Sequence, residues 1–154
     1  MTVKQQDIPE LAEYPVVYSQ VVAWGDMNAL GHLNGVIYHR YVETARIDYY
    51  RHIGLHLGDM VTVVTQNSCR YLHSVIFPDT LYIGVRIEEV RNTSFRMHYV
   101  LYSKQQQKVV AHADAVIVLV DETLTQKCAI PDSLREQIVT FEASVGHTIN
   151  TLTS

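Results

Sequence analysis

One segment of this chain carries the hydrophobic repeat of a long helix, and the segments after it carry the repeat of β-strands. From residue 34 to residue 53, apolar side chains recur at spacings of three and four, which predicts an amphipathic helix. Its apolar stripe consists of Ile37, Tyr38, Tyr41, Val42, Ala45 and Tyr49. Asn34 is a suitable N-cap, and Gly54 falls where a glycine would end the helix. One long helix must therefore cover whatever sheet the other segments form.

The predicted strands lie on both sides of this helix. Residues 16–24, rich in valine, predict one strand before it, and four runs with a period of two follow it. These runs are residues 61–72, 80–90, 94–103 and 109–120. The last three breaks in the pattern are short, so consecutive strands are expected to be antiparallel neighbours. A five-stranded antiparallel sheet curled around one helix, an α+β layer architecture, is the economical arrangement.

The length of the chain predicts one domain. With 154 residues it can bury a self-sufficient core. We expect an N-terminal segment over residues 1–14, a single domain over residues 15–143 and a tail over residues 144–154. A short helix is expected to open at residues 131–133, with Leu134 and Ile138 as its apolar contacts. The small, polar residues after it are expected to be frayed.

Composition excludes several classes of protein. A formal net charge of -4, without a basic run, argues against a nucleic-acid surface. No apolar run reaches the ~20 residues of a membrane span, and the polar N-terminus does not predict a signal peptide. Cys69 and Cys128 lie in no Cys-x-x-Cys pair, which favours buried thiols in a reducing compartment. We therefore expect a cytoplasmic protein without a nucleic-acid or membrane partner.

The junction between the first strand and the helix, residues 24–35, concentrates reactive groups. It contains the carboxylate of Asp26, the imidazole of His32, the amides of Asn28 and Asn34, and three glycines. A helix N-terminus offers unpaired N–H groups and the positive end of a dipole. Such a turn can polarise a carbonyl and attack it. Taken alone, an aspartate before a helix is more often a helix or turn cap, and a lone histidine such as His32 is more often a structural hydrogen-bonding residue than a catalyst.

The same residues carry a family resemblance. The run Asp26-Met-Asn-Ala-Leu-Gly-His-Leu-Asn-Gly-Val-Ile-Tyr38, with Tyr41, Glu43 and Ala45-Arg46 after it, resembles the signature of the 4-hydroxybenzoyl-CoA thioesterase-like branch of the hotdog-fold thioesterases. Weaker similarity extends through residues 77–81, 90–94 and 130–131, so that residues 15–140 are covered. Gly35 departs from the pattern, because many relatives have a second asparagine there. We expect this difference to affect substrate fit rather than reaction type.

The resemblance implies a hotdog fold and hydrolysis of an acyl-CoA thioester to a free acid and CoA. Asp26 is expected to act as the nucleophile or as a general base on water. His32 and Asn34 are expected to orient the thioester or the water. The main-chain N–H groups of Gly31, His32 and Leu33, at the start of the helix, are expected to form an oxyanion hole.

Further residues are candidates for substrate binding. Asn28 and Tyr38 lie close to the proposed centre in sequence, and Tyr38 is a candidate for the acyl pocket. Arg91 and Ser94 are candidates for the CoA phosphates. The substrate is expected to be a thioester of CoA or of acyl carrier protein. The sequence specifies neither the carrier nor the length and aromatic character of the acyl group.

The predicted sheet also implies a homo-oligomer. One helix covers only part of five strands, and the apolar run 109–120 is unsuited to an open edge. Edge-to-edge pairing of two sheets about a two-fold axis would solve both problems. We expect a homodimer, or a tetramer built as a dimer of dimers, with each active site at a subunit boundary.

Two other functions remain open on the sequence, and cofactor chemistry is not predicted. A hotdog hydratase or dehydratase would use His32 with Asp26 for proton transfer, and a non-catalytic protein would bind acyl-CoA. His52 and His56 are four residues apart, but Gly54 lies between them and no His-Glu-x-x-His pattern occurs. No metal site is therefore expected, and no cofactor other than CoA as part of the substrate.

Overall fold

A computed structural model describes residues 7–55 and 60–151 of the protein. The regular elements are β1 Val16–Val21, α1 Gly35–His52, β2 Val61–Tyr71, β3 Thr80–Val90, β4 Ser94–Ser103, β5 Lys108–Val120, α2 Asp132–Ala143 and β6 Asn150–Thr151. His56, the first six residues and the last three residues lie outside the described residues, so the predictions made for them are not addressed. No helix within the described residues has both the length and the apolar character needed to cross a membrane.

The described strands form one sheet with α1 packed against it. The five long strands are antiparallel and lie in the order β1-β3-β4-β5-β2, and β6 adds a short parallel pairing to β3. Alternate residues of β4, such as Phe95, Met97 and Tyr99, are buried in the main core together with the apolar stripe of α1. This is the α+β arrangement of one long helix, one short helix and a five-stranded antiparallel sheet that the sequence predicts.

The ends of α1 follow from local chemistry. The Asn34 side chain accepts a hydrogen bond from the Val36 N–H at 3.2 Å, which satisfies one orphan donor of the first turn. At the other end Gly54 adopts a φ of +71°, a left-handed conformation that favours glycine. The predicted cap and stop signals are both confirmed.

Two predictions about the strands need correction. The first strand ends at Val21 rather than Trp24, because Trp24–Asp26 turns into a single 3-10 turn. The apolar strand β5 is not an edge, since it lies between β4 and β2. Its apolar character reflects its interior position, and the exposed edge next to it is β2.

Residues 144–151, the described part of the C-terminal segment, are not frayed, contrary to expectation. Leu134 and Ile138 of α2 are buried as predicted, but Ile149 is buried too, and Asn150–Thr151 pair with β3. The carboxylate of Glu142 is 0% exposed and accepts hydrogen bonds from three sides. The donors are Tyr49 Oη at 2.5 Å, the Ile87 N–H at 2.9 Å and His147 Nδ1 at 2.8 Å. This carboxylate joins α1, β3 and the chain after α2.

Replacing Glu142 with alanine should therefore lower the free energy of unfolding by at least about 3 kcal/mol, because three buried donors lose their acceptor. Urea unfolding followed by circular dichroism measures the change. Glu136→Ala, at an exposed position of the same helix, is the matched control. Equal stability of the two variants would contradict the structural role of Glu142.

Candidate active site

The segment between β1 and α1 folds into a closed turn. Met27 and Leu33 form an isolated antiparallel bridge, and the Asn28 N–H donates to the His32 carbonyl at 2.7 Å. Gly31 allows the chain to reverse, because its φ of +80° lies in the left-handed region. The Asn34 N–H donates to the Asp26 carbonyl at 3.0 Å and ties the turn to the start of α1. Main-chain bonds therefore hold the turn at both ends.

The half-buried Asp26 is held by a tyrosine from α1. Tyr41 Oη donates to Asp26 Oδ2 at 2.5 Å. Tyr41 Oη also accepts a hydrogen bond from the Ala23 N–H at 3.4 Å. Burial, followed by the hydrogen bond to Asp26, raises the pKa of Tyr41 to about 12. The phenol therefore stays protonated and donates to the carboxylate. This partnership was not predicted from the sequence, although Tyr41 lies in the second turn of α1 on the stripe that packs toward the sheet.

Asn28 organises the turn through its side-chain oxygen. Asn28 Oδ1 accepts from the Leu30 N–H at 2.9 Å and from the His32 N–H at 3.2 Å. Such a side-chain-to-backbone pattern is typical of asparagine in tight turns. The side chain itself is exposed.

The predicted oxyanion hole does not fit the hydrogen bonds of this turn. The Gly31 N–H donates to the Asn28 carbonyl, the His32 N–H to Asn28 Oδ1, and the Leu33 N–H to the Val75 carbonyl at 2.7 Å. All three amides are thus engaged within the protein. Gly35, the first residue of α1, has no intrahelical acceptor for its N–H. No partner for that N–H is found among the described residues.

Two cavities border the turn. The first has a volume of about 280 Å³ and is lined by Asn28, His32, Gly35, Tyr38 and Tyr71, among others. Tyr38 and Tyr71 meet edge to face with ring centroids 4.8 Å apart. Tyr71 Oη donates to the Gly35 carbonyl at 2.9 Å.

The second cavity is more open, with a volume of about 660 Å³, and its walls include Trp24, Met27, Asn28 and Phe77. Asn28 therefore borders both cavities. Among the described residues, Asp26 borders neither, although the residues on both sides of it line the second cavity.

The predicted site residues are brought together only in part. His32 and Tyr38 border the first cavity with Asn28, and the oxygen of Asn34 is used as the cap of α1. Arg91 and Ser94 lie at the other end of the sheet, because β3 starts beside the turn at Thr80 and ends ten residues later at Val90. At ~3.3 Å per residue, the separation along the strand is ~33 Å. Within one chain, Arg91 and Ser94 therefore lie far from the turn between β1 and α1.

Tyr41→Phe should lower the free energy of unfolding by about 1.5–3 kcal/mol, since it removes a hydrogen bond to a charged group in a partly buried position. Chemical denaturation of the purified variant measures this loss. Tyr71→Phe is the control, because Tyr71 is 49% exposed and its hydroxyl donates to a neutral carbonyl, that of Gly35, so its loss should cost about 0.5–1 kcal/mol. A larger loss for Tyr71→Phe would argue against the importance of the Tyr41 contact.

Comparison with known proteins agrees with this architecture. The model of the thioesterase-like superfamily matches residues 22–138. The uncharacterised protein YsmA of Bacillus subtilis is 30% identical over 80 residues, which are 51% of this chain and about half (54%) of that relative.

Solved structures extend the similarity to nearly the whole fold. The PA5185 protein of Pseudomonas aeruginosa has 27% identity and a TM-score of 0.76, covering 85% of this chain and 94% of its own. A thioesterase of Thermus thermophilus, solved in complex with coenzyme A and Zn, has 26% identity and a TM-score of 0.75, covering 85% of this chain and 96% of its own. With the family match over residues 22–138 and the sheet wrapped on one long helix, the chain belongs to the thioesterase-like superfamily of hotdog-fold proteins.

Proposed function

We propose that this protein hydrolyses an acyl-CoA thioester to a carboxylic acid and free CoA. One observation carries the proposal: the Asp26 carboxylate, in the signature turn of a thioesterase-superfamily chain, is held by the neutral phenol of Tyr41 at 2.5 Å. The phenol occupies Oδ2 and fixes the plane of the carboxylate. Oδ1 is then the oxygen available for reaction.

Asp26 would act as a general base or as a nucleophile. As a base, it takes a proton from water while the water oxygen forms a bond to the thioester carbon. The tetrahedral intermediate then collapses, the C–S bond breaks, and the CoA thiolate leaves and takes up a proton. As a nucleophile, Asp26 would form an acyl anhydride that water hydrolyses in a second step. A thiolate is a good leaving group, so either route needs little acid assistance.

The carbonyl oxygen would be bound at the start of α1. The Gly35 N–H replaces the amides of Gly31, His32 and Leu33 in this role, because those three are already engaged. It points from the positive end of the helix dipole, where negative charge is stabilised. His32 borders the same cavity and would orient the thioester or the water. Asn34, with its oxygen used as a cap, would contribute its NH₂ group.

The nucleotide part of CoA would be held by a second copy of the chain. Arg91 Nε is paired with Glu89 Oε1 at 3.0 Å on an exposed surface, far from the turn of the same chain. Arg91 and Ser94 can therefore act as phosphate contacts only if a partner subunit brings them to the turn. The complex of the Thermus thioesterase with coenzyme A supports CoA as the carrier. Acyl carrier protein is the competing carrier.

A thiol-release assay across short, long and aromatic acyl-CoA substrates tests the proposed reaction. Hydrolysis releases one thiol for each acid formed. Hydration of an enoyl-CoA without thiol release would instead establish the hydratase. Tight binding of acyl-CoA with neither reaction would establish a binding protein.

Asp26→Asn should lower the turnover number on the best substrate by at least ~10², because the side chain loses its basicity. The fold should persist, since the amide oxygen of the new residue can still accept from Tyr41. Steady-state kinetics with a matched unfolding curve gives the measurement.

His32→Ala provides the comparison for Asp26→Asn. An orienting group contributes less than the base or attacking oxygen, so its loss should reduce turnover by a smaller factor. A greater loss at His32, together with an active Asp26→Asn protein, would indicate a histidine base and favour the hydratase mechanism.

We also propose a homodimer that completes the active site. Apolar side chains are exposed around the turn: Trp24 is 76% exposed and Leu30 82%, and Ile76 and Phe77 lie beside them. Exposed apolar surface of this kind marks contact sites. Strand β2 offers an unpaired edge in the sheet of one chain. Pairing of two β2 edges about a two-fold axis would bring the end of the partner's sheet to this surface.

Light scattering should give twice the monomer mass of 17.6 kDa, or four times that mass for a dimer of dimers. Val64→Lys places a charge on the β2 edge and should shift the protein toward monomer with loss of activity. Val139→Lys on α2 is the matched control, because Val64 is 39% exposed and Val139 is 41% exposed. A fully active wild-type monomer would disprove both the dimer and the shared site.

A further inference from the structure

The face of the sheet opposite α1 carries a cluster of basic side chains around an open cavity. We infer that Arg70, His98 and His112 form a binding site there for a tetrahedral oxyanion, either free phosphate or the phosphate group of a small monoester. The site is separate from the proposed thioester chemistry, because Asp26 contacts α1 on the other side of the sheet.

The strand register places the members of this cluster side by side. His98 of β4 is paired with Asp114 of β5, which is paired in turn with Ser68 of β2. In the next outward-facing row, His112 of β5 is paired with Arg70 of β2. Because alternate residues of a strand share one face, these side chains lie away from the core beneath α1. All five border one cavity with a volume of about 400 Å³.

The carboxylate of Asp114 is neutralised within the cluster. Asp114 Oδ1 accepts hydrogen bonds from His98 Nδ1 at 3.0 Å and from Arg96 Nη1 at 3.3 Å. Since a carboxylate only accepts, Nδ1 of His98 must carry a proton, and its Nε2 is left for another partner. With two arginines against one carboxylate, the cluster keeps a positive charge even when both imidazoles are neutral.

Arg70 supplies a permanent charge that is open to a ligand. The residue is exposed, and no carboxylate lies within ion-pair distance of it in the part of the chain that the structure describes. A guanidinium group matches the oxygens of phosphate with two parallel hydrogen bonds. This local positive charge occurs in a chain whose formal net charge is -4, so it is not a consequence of a basic composition.

His112 adds a charge that a bound anion would make favourable. Its ring stacks on that of His98 with centroids 5.5 Å apart. Burial, followed by the neighbouring His98 and Arg70, lowers the pKa of His112, and Asp114 opposes the shift. An anion between Arg70 and the two rings would offset this repulsion and favour the imidazolium form. Binding would therefore be accompanied by proton uptake.

The remaining neighbours of the imidazole pair are neutral or already paired. The segment before β1 contributes Tyr14, whose ring centroid lies 6.2 Å from that of His98. Burial raises the pKa of Tyr14 to about 12, so the phenol is uncharged at neutral pH. Arg86 of β3 lies over the Tyr14 ring and is paired with Glu88 and with Glu13. Both of these carboxylates are therefore neutralised before a ligand binds.

Sulfate is the first probe, because its charge stays constant between about pH 5.5 and 8, where histidine titrates. At constant ionic strength, an NMR titration should show saturable shifts of the ring protons of His98 and His112. The affinity should rise as the pH falls through the pKa of His112 in the complex, since the complex binds one more proton than the free protein. Phosphate and methyl phosphate then separate the two sources: tighter binding of methyl phosphate indicates a monoester, and the reverse indicates free phosphate.

Arg70→Gln should weaken sulfate binding by about tenfold or more, because a charge-assisted hydrogen bond is lost. Arg51→Gln is the matched control: it removes the same charge from an arginine on α1 whose side chain is 77% exposed. Its affinity for sulfate should stay within about twofold of the wild type, since exposed charges far from the site are screened. His112→Gln should remove most of the pH dependence.

Three results would overturn the inference. Equal weakening by Arg70→Gln and Arg51→Gln would indicate an adventitious ion only, attracted by net charge. An affinity that does not change with pH would exclude the imidazoles from the site. If no probe binds the wild type and Arg70→Gln divides the assembly in light scattering, this face is instead a contact between copies of the chain. The thiol-release assay bears only on the proposed function, so the two proposals can fail separately.

Discussion

Burial of the tyrosine-rich face of α1 against the sheet is the interaction on which the rest of the structure depends. Tyrosine fills a core with its ring but brings a hydroxyl that needs a hydrogen-bond partner. Two of these hydroxyls donate to carboxylates. Tyr41 donates to Asp26 near the start of α1, and Tyr49 donates to Glu142 near the end of α1. Packing of one helix therefore determines where two acidic side chains must lie.

The two carboxylates differ in solvent access, and this difference distinguishes the structural role of Glu142 from the proposed reactive role of Asp26. Glu142 is fully buried, and burial raises the pKa of its carboxyl while the Tyr49 and Ile87 donors oppose the shift. Its oxygens are committed to three protein donors, so it anchors the segment after α2. Asp26 is only half-buried, and within the described residues its carboxylate accepts from one donor, Tyr41 Oη. Such a carboxylate keeps acceptor capacity that Glu142 has lost, and the proposed reaction requires that capacity.

Local sequence patterns predicted the helices and strands, whereas contacts between residues distant in sequence could not be predicted from such patterns. The period-two runs 80–90 and 94–103 coincide with β3 and β4, and Asn34 and Gly54 correctly bound α1. The edges of the sheet were not identified, because an apolar run looks the same whether a strand lies inside a sheet or at an apolar edge. The hydrogen bond from the Leu33 N–H to the Val75 carbonyl, 42 residues away in the chain, leaves no trace in either local sequence. This distant contact engages the Leu33 amide, whereas the Gly31 and His32 amides are engaged locally by Asn28.

Placing the proposed oxyanion donor at the Gly35 N–H rather than at the turn amides also affects how the site would relate to a second subunit. The amides of Gly31, His32 and Leu33 are engaged in hydrogen bonds that hold the turn closed. The second cavity beside the turn is bordered by Trp24, which is 76% exposed. In water, hydrogen bonds to an oxyanion are weakened by the high dielectric constant. Covering this exposed apolar surface with a partner would remove water from the turn beside the Gly35 N–H. The contact that stabilises the dimer would then also strengthen the electrostatic interactions of the site, so assembly and catalysis would share one surface.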